Sequence, residues 1–144
     1  MRLLLVLAAC LLATPASAQS DVDQIRQTVS YYLDGGTHGD FETLSRAFHP
    51  TATMRWVNGD GEYQDVNALD FFRDRMRPGP PSDRATRVAA IDVSGDAATA
   101  RLEIEYPTFT FVDYMTLLKL DGEWKIVSKA FHRRPHAHPP EADE

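Results

Sequence analysis

The sequence is poor in the residues that carry the commonest covalent and metal chemistry. It has one cysteine, Cys10, set in the apolar N-terminal run. A chain cut after that run keeps no thiol, so it can hold no disulfide, no thiolate nucleophile and no cysteine metal centre. No glycine-rich phosphate loop and no Ser-His-Asp signature is readable. Positive charge is scarce: 15 Lys and Arg stand against 21 Asp and Glu, and the basic residues are dispersed apart from Arg133-Arg134. Nucleic-acid phosphates need a concentrated positive footprint, so no nucleic-acid partner is expected. Internal repeats are absent. The longest apolar run, Leu3 to Ala13, has 11 residues, against the ~20 that a membrane-spanning helix needs.

That short run is informative. Arg2 precedes it, and Thr14-Pro-Ala-Ser-Ala follows it with a small-x-small ending at Ala18. These are the parts of a secretory signal peptide. Residues 1–18 are therefore expected to be removed after Ala18, leaving a periplasmic or secreted protein of 126 residues, Gln19 to Glu144, with no membrane insertion. Leu7-Ala8-Ala9-Cys10 also has the form of a lipoprotein cleavage box. Against that form, the apolar run continues past Cys10 and only nine residues precede it. The mature length suits one domain with its own core, expected over residues 19–132. The proline-rich polar stretch 133–144 is expected to be a disordered tail.

Ser20 with Asp23 three residues on marks a helix start, and Val22, Ile25, Val29 and Tyr32 recur at helical spacing. Gly35-Gly36 reads as the stop. Asp40 reads as the next N-cap, with Phe41, Leu44 and Phe48 as one stripe and His49-Pro50 as the end of that helix. Thr53–Val57 reads as a strand, Asn58-Gly-Asp-Gly as a turn, and Asn67 as the cap of a third helix with Leu69, Phe72 and Met76 inward. From Arg84 the period changes to two. Ala98, Ala100, Leu102, Ile104 and Tyr106 alternate with polar residues, as a half-exposed strand does. Three helices followed by a long antiparallel sheet make an α+β domain with the helices on one face.

The last hairpin, "DYMTLLKLDGEWKIVSKAFH", turns at Asp121-Gly122, a strong two-residue turn signal. Leu120 then faces Glu123, Leu117 faces Ile126, Asp113 faces Ala130 and Phe111 faces His132. Alternation places Phe111, Asp113, Met115, Leu117, Trp124, Ile126 and His132 on one face, expected to meet the helices. Val112, Tyr114, Leu118, Val127 and Phe131 fall on the other. Asp113 and His132 would be diagonal neighbours, within side-chain reach. A bulged turn would put them on opposite faces. A carboxylate among Phe, Met and Leu is costly to ionise unless it is hydrogen-bonded.

With "YYLDGGTHGD", "AFHPTATM" and "DYMTLLKLDGEWKIVSKAF" in place, the chain resembles the nuclear transport factor 2-like superfamily over about Asp21 to His132. That group includes ketosteroid isomerases and polyketide cyclases, and the nearest branch by these motifs is the lumazine-binding type. The resemblance implies a cone-shaped, curved, antiparallel or mixed sheet packed on three N-terminal helices and enclosing a pocket. It also implies a homodimer through the outer sheet face. In the ketosteroid isomerases a helix-1 tyrosine and a protonated late-strand aspartic acid form the oxyanion hole. The matching positions are Tyr32 and Asp113, while the position of that family's catalytic base is Trp56.

Two function classes follow. One is a small-molecule-binding protein whose pocket is lined by Tyr32, Trp56, Phe72, Met76, Phe111, Asp113, Met115 and His132. The other is a cofactor-free acid–base enzyme of isomerase, dehydratase or cyclase type, with Asp113, His132 and Tyr32 as catalytic groups. A purely structural dimeric module is the third reading. His49 reads as a helix terminator, and His132, His136 and His138 lie in or next to the tail, so no metal and no cofactor is expected.

Overall fold

We describe residues 20–137 from a computed structural model. The expected leader, Cys10 and His138 lie outside them. Helix α1 spans Asp21–His38, with Ser20 as N-cap accepting a hydrogen bond from the Asp23 backbone. Its buried stripe is Ile25, Val29 and Tyr32, whereas Val22 stays 38% exposed. The helix does not stop at Gly35-Gly36 but continues to His38 and ends at Gly39, in the left-handed region with φ 66°. The paired glycines serve close approach instead of termination. A Cβ on Gly35 would lie 2.5 Å from the Leu44 backbone nitrogen, and one on Gly36 would lie 2.5 Å from Arg84 Nη2.

Helix α2 is only Phe41–Ser45, capped by Asp40. Phe48 and His49-Pro50 do not end it. They begin strand β1, Phe48–Val57. The later chain decides this: the Ile126 backbone N–H donates to Ala47 O at 2.8 Å, and Phe48 pairs with Ile126. The register shifts between Phe48 and Thr53, which accommodates a proline that cannot donate to a ladder. Strand β2 is Tyr63–Asn67, and Asn67 caps helix α3, Ala68–Arg75. Strands β3 (Ala85–Ser94), β4 (Ala97–Glu105), β5 (Phe109–Leu120) and β6 (Glu123–Pro135) follow. They form a six-stranded sheet ordered β2-β1-β6-β5-β4-β3. Every pair is antiparallel except β1–β6, which is parallel. Helix α1 touches both β6 and β3, and α3 touches β1 and β2, so the open sheet wraps the helices as a cone. This is the expected α+β architecture. Strand β6 passes His132 to Pro135, and His136 Nε2 lies 2.9 Å from Thr110 Oγ1; residues 133–135 therefore extend the sheet, with His136 bonded beside it, and are not part of a free tail.

The hairpin register holds only near its turn. Asp121 and Gly122 have φ of 50° and 83°, and Leu120↔Glu123 through Leu117↔Ile126 pair as expected. Val127 is then an extra residue, and the ladder resumes at Thr116↔Ser128, Met115↔Lys129 and Asp113↔Phe131. A bulge of one residue exchanges the faces of everything beyond it. Lys129 and Phe131 turn toward the helices. Ser128, Ala130 and His132 turn out, and His132 is exposed. The expected juxtaposition of Asp113 and His132 is overturned by this bulge, which sits within β6 and not in the turn.

Candidate functional site

Asp113 is on the helix-facing side of β5 and is 0% exposed. Its partner is the side chain that the bulge delivers. Lys129 Nζ lies 2.6 Å from Asp113 Oδ1, an ion pair in which that oxygen has no well-aligned hydrogen bond. Tyr32, from the buried stripe of α1, completes the cluster. Its hydroxyl donates to Asp113 Oδ2 at 2.7 Å and accepts from Lys129 Nζ at 3.0 Å. The phenol thus bridges a carboxylate and an ammonium. Burial depresses the Lys129 pKa, and the attraction of Asp113 only partly offsets it. Burial first, and then the Asp113 charge, push the Tyr32 phenol well above its ordinary 10.

Tyr32 and Lys129 of this cluster line a cavity of about 220 Å³. Phe71, Phe72, Phe111, Phe131, Met54 and Met76 form its apolar wall, and Tyr32, Lys129, Arg84 and Tyr106 supply its polar groups. Phe111 and Phe131 meet edge to face at 5.5 Å, and Tyr32 lies 5.9 Å from Phe72. Arg84 is fixed in the wall by donating to Thr37 Oγ1, Leu33 O and the Tyr106 hydroxyl at 2.9, 2.7 and 3.0 Å. A larger groove of about 520 Å³ runs past Tyr31, Arg46 and Trp124. It holds no buried ionisable group, so the smaller cavity is the site that carries chemistry. Among the described residues, no group of three or more His, Cys, Asp or Glu lies together as metal ligands would.

Residues 20–132 match the profile of the family described as "Putative lumazine-binding". The chain belongs to that family. It is similar to an NTF2-like protein of unknown function from Shewanella baltica, at 30% identity and a TM-score of 0.73, covering 82% of this chain and 99% of that one. A second such protein, from Methylobacillus flagellatus, is 36% identical with a TM-score of 0.69, covering 81% of this chain and 93% of that one. The chain is also 26% identical over 117 residues to the aldolase FrzH of a Cladobotryum species, covering 81% of this chain and 94% of that protein.

In this lumazine-binding family member, the structure brings Tyr32 and Asp113 into contact and places Tyr32, Phe72, Met76 and Phe111 on one cavity. Asp113 itself sits behind Tyr32 and Lys129 and does not line that cavity. It accepts from Tyr32 and faces a cation, whereas the ketosteroid isomerase pattern needs a carboxylic acid that donates. Trp56 stacks on the outer side of Phe131 at 5.3 Å and lines a separate hollow beside Asp70 and Asp74. Met115 is 1% exposed and fills the core. His132 is on the opposite face. Sequence reasoning missed Lys129, Phe131, Arg84 and Tyr106. For the first two a signal exists: large apolar residues of β6 sit at even positions through Ile126 and at an odd one, Phe131, afterwards. Such a parity switch marks a bulge.

Proposed function

We propose that the protein binds a small, partly aromatic molecule in this cavity, with a polar group of the ligand held against Lys129 and Tyr32. The observation that carries the reading is an apolar, aromatic-walled cavity that ends on a buried lysine and tyrosine, the common plan of a ligand site. Lumazine, a planar heteroaromatic with carbonyl groups, suits both the wall and the polar end, and it is the first probe. Titration calorimetry should show saturable binding, and Phe111→Trp should abolish it by filling the cavity. Native mass spectrometry of gently purified protein should show a small-molecule adduct. No adduct, and no heat with lumazine or other small aromatic probes on folded protein, would overturn the reading.

A second reading is a cofactor-free acid–base enzyme. Two observations favour it: one relative is named an aldolase, and three proton-carrying groups lie in direct contact. In that reading Tyr32, Asp113 and Lys129 hold the protons, and His132 has no part. We further infer secretion through the 1–18 leader, and a homodimer through the outer sheet face. No helix among the described residues packs on that face, where Tyr114 is 57% and Leu118 37% exposed.

A further inference from the structure

We propose that Lys129 is an amine nucleophile that condenses with the carbonyl group of a small aldehyde or ketone in the cavity to give an imine. The proposal rests on the cavity being a ligand site and adds the class of ligand and the bond formed. Three features of the geometry support it. Lys129 is 4% exposed yet lines the cavity, so its nitrogen is reached from the cavity and not from the surface. The chain has only three lysines. Lys119 is tied to Asp21 at 2.8 Å, and Lys125 donates to Arg46 O at 3.0 Å, both outside this cavity. The Lys129 nitrogen has a proton acceptor, Asp113 Oδ1, at 2.6 Å and a hydroxyl, that of Tyr32, at 3.0 Å.

Every proton in the reaction has a place to go. The Lys129 ammonium passes a proton to the Asp113 carboxylate, and the freed nitrogen attacks the carbonyl carbon. The C–N bond forms as the carbonyl π pair moves to oxygen. That oxygen takes the Tyr32 proton, and Tyr32 is reprotonated by Asp113, to which it already donates. The nitrogen then returns a proton to Asp113. The hydroxyl leaves as water with a proton relayed through Tyr32, and the nitrogen lone pair closes C=N. Ammonium plus carbonyl compound become protonated imine plus water, with no oxidant or reductant. The product cation still faces Asp113, so the buried charge balance is unchanged, which a low-dielectric site requires. The remaining charged group in the wall, Arg84, is fixed by three acceptors and disfavours a second positive charge beside it. An apolar cavity of ~150 Å³ holds benzene, so about 220 Å³ admits a compound the size of benzaldehyde.

The test is reductive trapping on the full folded chain with benzaldehyde and cyanoborohydride, followed by peptide mapping. A benzyl group should appear on Lys129 at least tenfold faster than on Lys119 or Lys125. Tyr32→Phe should slow trapping at Lys129 while leaving the other two lysines unchanged. Lys129→Arg, which keeps the cation but cannot deprotonate, should show no trapping in the cavity. Benzyl alcohol, the same size without a carbonyl, is the control for binding. If benzyl alcohol binds in the cavity but Lys129 is trapped no faster than the other lysines, the imine proposal is wrong and the ligand site stands. If neither compound binds to folded protein, both fall together.

Discussion

The hydroxyl of Tyr32 and the amine of Lys129 meet one buried carboxylate, so substitutions in this cluster should behave as a unit. From sequence alone, Asp113→Leu should leave stability unchanged or raise it, because a buried polar group gives way to an apolar one. The structure reverses that expectation, because the change strands the Lys129 cation. Asp113→Leu should cost ~3–5 kcal/mol, whereas adding Lys129→Met should restore most of the loss, as replacing a whole buried pair does. Urea unfolding of the two variants checks both signs. The cluster also predicts an alkaline profile. A lysine whose pKa is depressed from 10.5 in the folded state binds fewer protons there than in the unfolded chain, so stability rises as pH climbs toward 10.5. A phenol raised well above 10 contributes stability that is complete below pH 10 and is lost above it. Stability should therefore rise and then fall across pH 10, and Tyr32→Phe should flatten the fall in thermal unfolding measured against pH.

Helix α1 shows why local rules read some elements and misread others. Its start, its stripe and the caps at Asp40 and Asn67 were legible because each depends on residues within one turn of chain. Its end was not, because Gly35 and Gly36 answer to α2 and to Arg84, partners outside the helix that touch them only in the folded chain. Gly35→Ala should gain ~1 kcal/mol of helix propensity yet destabilise the protein net, since the new methyl meets backbone of α2. Gly36→Ala meets only the tip of the Arg84 side chain and should cost less. A comparison of melting temperatures decides this. Strand β6 teaches the same lesson. Its alternation was readable to Ile126, and Tyr32 and Asp113 were found on the correct face. Val127 then inverted the rest, hiding Lys129 and promoting His132. The bulge coincides with the register shift in neighbouring β1, a pairing between residues far apart in sequence that no local window contains.

At the scale of the whole molecule, the proposed homodimer rests on the outer face of the sheet. With Phe131 turned inward, that face is less apolar than the sequence implied, but Tyr114 and Leu118 remain on it, and light scattering at micromolar concentration should give a dimer mass. The proposed secretion predicts a mature chain whose intact mass corresponds to residues 19–144. The strand order has a further consequence, in time and not in space. Among the described residues strand β6 is the last element in chain order and yet lies between β1 and β5. While the chain is being synthesised, the β1–β2 hairpin and the β3–β5 meander must wait as two separate pieces, each with a bare strand edge open to mispairing. Asp113 waits on one piece with no cation to face. The final strand joins the halves and carries Lys129 with it, so the sheet and the charge pair are completed by the same event. A ribosome stalled before Glu123 would release a chain that has neither.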